Sequence, residues 1–99
     1  MARRPELPEP VREVDLHGLT VARALTRVNE ELTYCRARRL SPVLVITGRG
    51  WGNPDGRSRL GPAVRAWLEG REGRALGVRE CRPVHDGGAL WVRLEAGGA

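Results

Sequence analysis

Two short polar motifs follow two apolar segments of this sequence, and their residue types suit acid–base chemistry on a phosphate group. The letters DLHG at 15–18 end the first segment, and TGRG at 47–50 end the second. Cleaving a phosphodiester needs an activated water, stabilisation of charge on the phosphorane oxygens and a proton for the leaving oxygen. Asp15, alone or with Mg²⁺ or Mn²⁺, can orient water, Arg49 can clamp the phosphate, and His17 can act as acid or base.

Simpler roles for the same side chains stay open. A histidine that follows a strand also serves as a hydrogen-bond donor that stabilises the turn, which is the alternative for His17. Asp15 can instead accept a hydrogen bond from a neighbouring loop amide. The motifs therefore predict either a hydrolytic site or two well-braced turns.

The spacing of apolar residues predicts the elements that position these motifs. Val14 and Leu16 alternate with polar residues, as in a half-buried strand, so the side chains of Asp15 and His17 should lie on one side of it. The segment 43–46 (VLVI) is typical of a central strand that is buried on both faces.

A long helix connects these two strands. Thr20 can cap it, and apolar residues at helical spacing continue to about Arg39. Ser41-Pro42 then ends the helix before the second strand. Strands joined by such a crossover run parallel, so the two motifs should meet at one sheet edge, where open α/β sheets bind ligands.

The glycine-rich segment 48–57 is predicted to be a loop. Its glycines lack the GxGxxG spacing of a dinucleotide site, so no nucleotide or organic cofactor is expected. Trp51 is either a lid folded onto the domain or a platform on which a base stacks. Arg57 and Arg59 begin the next helix, whose N-terminus favours phosphate. Ordinary solvated charge is the alternative for Arg59.

The second helix has Ser58 as its candidate cap, and Gly70 or Gly73 should stop it. Apolar segments at about 76–84 and 89–94 then flank the letters HDGG, and Asp-Gly between two strand patterns is a strong hairpin signal. The predicted order is therefore β-α-β-α-β-β.

A third turn joins the edge if the third strand also runs parallel to the first two after its helical crossover. The carboxyl end of that strand then brings His85 beside His17 and Arg49, where its imidazole can donate to phosphate. Turn chemistry alone also accounts for the Asp-Gly pair that follows His85.

The charge balance indicates a polyanionic partner. The 99 residues include 17 basic residues, all of them arginine, against 12 acidic ones, for a formal net charge of +5. Guanidinium groups bind phosphate in pairs of hydrogen bonds and stack on bases, which favours DNA or RNA. A GC-rich coding bias is the alternative explanation for the absence of lysine, although it does not explain the excess of positive charge.

Composition also excludes several classes of protein. Cys35 and Cys81 form no CxxC pair, so neither a disulfide framework nor a thiolate metal site is predicted. No apolar run approaches a membrane span, and the first residues lack the apolar stretch of a signal peptide. We therefore expect a cytoplasmic protein with no membrane partner.

The chain is predicted to consist of a flexible arm (1–10), one folded domain (11–95) and a flexible tail (96–99).

In combination, four segments resemble the small MutS-related (Smr) domain family, over residues 11–95. The letters VDLHG at 14–18 resemble the family's LDLHG signature, and ITGRG at 46–50 resembles its HGxG signature in the TGxG form of one subgroup. The helix at 58–68 and the strand at 87–94 are similar to the corresponding segments of the family.

The resemblance implies a two-layer α/β sandwich with a four-stranded mixed sheet, similar to the C-terminal domain of bacterial translation initiation factor three. Members are reported as DNA-nicking endonucleases or as RNA-binding and RNA-cleaving modules, so the resemblance implies a structure-directed or non-specific nicking endonuclease here. A non-catalytic module that binds DNA, RNA or a ribonucleoprotein is the alternative. The family's functional residues carry over onto the following positions: Asp15, His17, Gly18, Gly48, Arg49 and Gly50.

Thr47 departs from the family pattern because many members have histidine at this place. A threonine hydroxyl can bond to a phosphate oxygen but cannot act as a general base near neutral pH. Chemistry shared between two histidines would therefore require His85 as the second one.

Overall fold

A computed structural model of the chain describes residues 7–48 and 59–95. Its elements follow in this order: β1 (Arg12–Asp15), α1 (Val21–Ala37), β2 (Val43–Ile46), α2 (Leu60–Glu69), α3 (Arg71–Ala75), β3 (Val78–Val84) and β4 (Ala89–Leu94). The predicted order of strands and helices is confirmed, with α3 as an additional short helix.

The four strands form one mixed sheet in the order β1-β2-β4-β3. β1 pairs with β2 in parallel, and β4 pairs antiparallel with both β2 and β3. β3 therefore runs in the same direction as β1 and β2, although β4 lies between them. The carboxyl ends of three strands share one edge of the sheet, as the sequence predicts.

α1 begins as predicted and ends slightly early. The hydroxyl of Thr20 caps the helix by accepting a hydrogen bond from the N–H of Arg23 at 3.2 Å. The last helical residue is Ala37 rather than Arg39, because Arg39 has a left-handed backbone with φ of 59°. The N–H of Leu40 then donates to the carbonyl of Cys35 at 2.8 Å and closes the helix end.

One face of the sheet and the apolar stripes of α1 and α2 form the core. Its buried members are Val14, Leu16, Ala24, Val28, Leu32, Cys35, Val43, Val45, Leu60, Val64, Leu68, Val78, Leu90, Val92 and Leu94. The arrangement has two layers, one of strands and one of helices.

The other face of the sheet carries no helix among the described residues, yet β2 is largely buried on this face too, as the sequence predicts. Leu44 lies on this face and is buried all the same, while Ile46 is half-buried. Trp91 is the cross-strand partner of Leu44. Its indole N–H donates to the carbonyl of Pro8 at 2.8 Å, so the segment that precedes β1 covers part of this face.

The two cysteines are free, with Cys35 buried and Cys81 partly buried. Burial raises the pKa of the Cys81 thiol to about 11 and also raises the pKa of Cys35. Both are protonated at neutral pH, in keeping with the prediction that they are small core residues. In the ranges 7–48 and 59–95, no helix is long and apolar enough to cross a membrane. The domain bounds stay predictions.

Gly73 marks a close approach between α3 and the end of α2. α2 stops at Glu69, with Gly70 as its C-cap, so the first of the two predicted stop positions is the correct one. Gly73 lies inside α3, and a Cβ there would stand 1.8 Å from the carbonyl oxygen of Leu68. Only glycine lets the two backbones meet at this distance. The candidate cap Ser58 lies outside the described residues.

We expect Gly73→Ala to lower the free energy of unfolding by about 1–3 kcal/mol, because the backbone of α2 would have to shift. Gly61→Ala is the matched control, since a Cβ there meets only the Thr47 hydroxyl, at 3.4 Å. Alanine at this helical position should be neutral or stabilise by up to about 1 kcal/mol. Chemical denaturation measures both variants, and equal stability of the two would contradict the close approach.

Candidate functional site

The turn between β3 and β4 is tied to the end of β2 through one carbonyl group. The oxygen of Gly88 accepts hydrogen bonds from the N–H groups of Thr47 at 3.0 Å and Gly48 at 2.9 Å. The hydroxyl of Thr47 donates to the same oxygen at 3.4 Å. These bonds place the turn that holds His85 beside the end of β2.

The turn after β1 lies against the same residues of β2. The N–H of Leu16 donates to the carbonyl of Ile46 at 2.7 Å and extends the parallel pairing by one bond. A Cβ on Gly48 would lie 3.5 Å from the Cβ of His17, so these two residues are direct neighbours. Gly18 has φ of 81°, and this left-handed residue turns the chain toward α1.

Asp15 and His17 form a hydrogen-bonded pair at this edge. The Nδ1 atom of His17 lies 2.6 Å from Oδ1 of Asp15, and the His17 backbone N–H donates to the same oxygen at 3.1 Å. Both side chains remain open to solvent, with 69% of His17 and 54% of Asp15 exposed. The bond to the amide matches the simpler role proposed for Asp15, and the bond to the ring adds a second role.

The pair can serve acid–base chemistry. When Nδ1 carries its proton and donates to Asp15, the lone pair of a neutral imidazole is on Nε2. The side-chain bond from His17, followed by its backbone N–H, holds the pKa of Asp15 below the ordinary value. The carboxylate therefore stays ionised and stabilises an imidazolium when His17 takes up a proton.

The described part of the chain contains no group of three or more histidine, cysteine, aspartate or glutamate residues that could hold a metal ion. One of the two Asp15 oxygens is already shared between two bonds from His17. These residues do not form a metal site of their own, so we assign no catalytic step to a metal. Binding of Mg²⁺ or Mn²⁺ by Asp15 stays a prediction.

His85 belongs to the same edge. Asp86, with φ of 55° and ψ of 34°, and Gly87, with φ of 87°, form the tight turn that the Asp-Gly pair predicts. The N–H of Gly88 closes this turn by donating to the carbonyl of His85 at 3.0 Å. The His85 side chain is exposed, and it lines a pocket together with Gly48.

Thr47 and Arg59 differ sharply in their access to a ligand. Only 3% of Thr47 is exposed, and its hydroxyl bonds to the turn at Gly88. Its side chain is therefore part of the buried packing behind the edge, which argues against the predicted contact with nucleic acid. Arg59 is exposed at the start of α2, with no ion-pair partner among residues 7–48 and 59–95.

Four of the predicted site residues lie outside the described ranges: Arg49, Gly50, Trp51 and Arg57. Their roles stay predictions. Sequence reasoning missed the carbonyl of Gly88, because a backbone acceptor has no side-chain signature. Its position just after an Asp-Gly turn was the one available signal.

The fold and this edge define a small two-layer α/β domain in which three polar turns meet beyond the strands. Residues 14–95 match the Smr domain family, and the chain belongs to that family. A curated relative, the endonuclease MutS2 of Thermus thermophilus, is 46% identical over 92 residues, which cover 90% of this chain. The chain spans 11% of the length of that relative.

A solved structure supports the same assignment. The crystal structure of the Smr domain of Thermus thermophilus MutS2 matches with a TM-score of 0.69 and 34% sequence identity. The match covers 86% of this chain and 99% of that one. The mixed α/β fold predicted from the sequence is therefore confirmed as the Smr fold.

The hydrogen bonds from His17 predict the titration of Asp15. We expect its carboxyl group to titrate below its ordinary value near 3.8. The stabilisation by these bonds is present above the pKa of the unfolded chain and is lost as the pH falls through the lowered folded value. NMR detection of the carboxyl carbon measures the midpoint directly.

Variants identify the cause of this lowered pKa. His17→Ala should raise the Asp15 midpoint toward the ordinary value, because it removes the largest contribution and leaves only the backbone bond. His85→Ala should leave the midpoint in place, since His85 makes no contribution. Equal midpoints in wild type and His17→Ala would show that the pair does not persist in solution.

Proposed function

We propose that this Smr domain binds nucleic acid and nicks it by hydrolysing a phosphodiester bond at the carboxyl edge of the sheet. The observation that carries the proposal is the pair of Asp15 and His17, joined at 2.6 Å and open to solvent. If Asp15 only stabilised its own turn, the bond from the His17 backbone N–H would be enough. The additional bond to Nδ1 orients an exposed imidazole.

In the proposed reaction, Nε2 of His17 takes a proton from a water molecule as the water oxygen attacks phosphorus. The Asp15 carboxylate stabilises the resulting imidazolium without taking the proton itself. The bond from phosphorus to the leaving oxygen breaks, and that oxygen receives a proton. We assign His85 as the donor of this proton. It lies at the same edge and supplies the second imidazole, which Thr47 cannot supply.

Charge at the edge supports a phosphate ligand. Seven arginines of the described residues form ion pairs with glutamates: Arg12, Arg27, Arg36, Arg65, Arg79, Arg82 and Arg93. Within the described ranges, six arginines form none: Arg23, Arg38, Arg39, Arg59, Arg71 and Arg74. Two of these six lie at the same edge, Arg23 in the first turn of α1 and Arg59 just before α2. Together with the helix N-termini and the predicted contact from Arg49, they favour a phosphodiester backbone.

The relatives support the same class of activity. The curated relative is named an endonuclease, and the solved structure that matches this chain is the Smr domain of the same protein. This domain is the part of the relative that resembles our chain. In our chain, Asp15 and His17 are the residues that we propose as the positioning group and the acid–base group.

A non-catalytic binding module is the second candidate, and one observation favours it. Thr47 stands where the family's HGxG signature has histidine, and it is buried. If His85 does not replace that histidine, the edge keeps the charge for binding but has only one imidazole for chemistry.

Cleavage assays separate the two candidates. We expect wild-type protein to nick supercoiled plasmid or structured RNA, and His17→Ala to lose about 10²-fold or more of the rate. Asp15→Asn should lose a similar factor, because the neutral amide no longer stabilises the imidazolium. Each assay is run with Mg²⁺, with Mn²⁺ and with EDTA, which tests the predicted metal dependence.

Glu72→Gln in α3, away from the edge, is the control and should cleave like wild type. Comparable rates for wild type and His17→Ala would assign any cleavage to a contaminant. The nuclease proposal would then be wrong, and the binding module would remain.

Binding has its own expected outcome. Affinity for DNA or RNA should fall steeply between about 50 and 200 mM salt, because phosphate contacts release counterions. Asp15→Asn should keep this affinity, whereas Arg49→Ala should lower it. Fluorescence anisotropy at several salt concentrations measures all three proteins, and an affinity that does not change with salt would rule out an interface dominated by phosphate.

A further inference from the structure

The helix-free face of the sheet holds a pocket of about 640 Å³ next to the proposed site. Its floor is apolar and consists of Leu44, Ile46 and Ala89. The backbones of Gly48 and Gly88 form the wall toward the edge. Neither glycine has a side chain, so a flat ring can approach this wall closely.

Strand register places this pocket directly beside the acid–base pair. Asp15 and Ile46 are cross-strand partners, and Ile46 is in turn the partner of Ala89. Neighbouring strands are about 4.8 Å apart, so the floor lies one to two strand spacings from Asp15. That is the scale of a single nucleotide, from its phosphate to its base.

Trp91 lies next along this face. It follows two residues after Ala89 on β4, and its indole is fixed by the bond to the carbonyl of Pro8. The pocket itself is open to solvent, and the residues of its lining nearest the edge are Gly48, His85 and Gly88.

The rim of the pocket carries a carboxylate without a partner in the described residues. Glu13 is exposed and lies on the same side of β1 as Asp15. By contrast, four other glutamates are held in ion pairs with arginine: Glu31, Glu69, Glu80 and Glu95. A carboxylate of this kind beside an apolar floor fits a ring that presents an N–H donor.

We propose that this pocket takes one unpaired base of the bound strand, with Glu13 accepting a hydrogen bond from the amino group of that base. The inference rests on the proposed function and names the form of its substrate. A base can reach the floor only after it leaves the stack of a duplex, so the domain selects single-stranded or looped segments.

Cytosine and uracil are matched ligands for this contact. They have the same ring size, but cytosine presents an amino group where uracil presents a carbonyl oxygen. At ring position 4, a carboxylate accepts from the amino group of cytosine and is repelled by the carbonyl oxygen of uracil, whose nearest donor is the N3–H one atom further round the ring. The pocket therefore predicts a preference for cytosine of about tenfold, and a glutamine at position 13 should remove most of it because its amide can donate as well as accept.

Anisotropy with short fluorescein-labelled oligomers of cytidine and of uridine tests the preference. All proteins carry His17→Ala so that the strands stay intact. Glu13→Gln is compared with Glu30→Gln, a second exposed carboxylate, on the helical layer. The cytidine oligomer should bind about tenfold tighter than the uridine oligomer, and tighter than a duplex of similar length. Glu13→Gln should bring the ratio close to one, and Glu30→Gln should keep it.

The outcomes distinguish failure of the pocket from failure of the proposed function. Equal binding of the two oligomers, or a preference that survives Glu13→Gln, overturns the base pocket and leaves the cavity to another occupant, such as an apolar side chain of a protein partner. Loss of all DNA and RNA binding overturns the proposed function and the pocket with it. Thermal melting of each variant confirms that the folded state is retained.

Discussion

The carbonyl oxygen of Gly88 holds the functional edge together. It accepts the two backbone N–H groups that follow β2 and so joins the end of β2 to the turn between β3 and β4, which is 41 positions away in sequence. The group can reach them because the preceding residues reverse the chain with positive φ angles. The N–H of the buried Thr47 would otherwise lack an acceptor, at a cost of about 1–3 kcal/mol. The position of His85 relative to Gly48 depends on this acceptor.

The pair of Asp15 and His17 follows from the turn that closes β1. β1 ends at Asp15, and His17 lies in that turn, two residues further along the chain. The turn at Gly18 releases the His17 N–H from the sheet, and the N–H then donates to Asp15. The same carboxylate oxygen is thus placed to bind the imidazole. The same Asp15 oxygen therefore stabilises the turn and orients the imidazole of His17.

Local patterns in the sequence predict most of this fold. The β-branched run of β2 identifies the central strand, Thr20 identifies the start of α1, and the Asp-Gly pair identifies the turn before β4. These features are local, because each depends on the few residues that form it. The family resemblance adds the two-layer arrangement, which periodicity alone does not contain.

Long-range contacts account for what the sequence did not predict. Trp91 could not be recognised as the anchor for Pro8, because the two residues are 83 positions apart. The burial of Thr47 depends on the Gly88 carbonyl and on the approach of α2 at Gly61, neither of which has a signature at position 47. The pocket has the same origin, since its floor combines residues of two strands that meet only in the folded sheet.

The antiparallel course of β4 gives the molecule two unlike ends. β4 runs away from the edge, so Leu94 and Glu95 lie at the opposite end of the sheet, near the last turn of α1, where Arg36 binds Glu95 at 2.7 Å. An attachment at that end points away from the three turns. A fluorophore, a solid support or a fused domain linked there would leave the full edge accessible. This end of the sheet is therefore the suitable attachment point for single-molecule experiments.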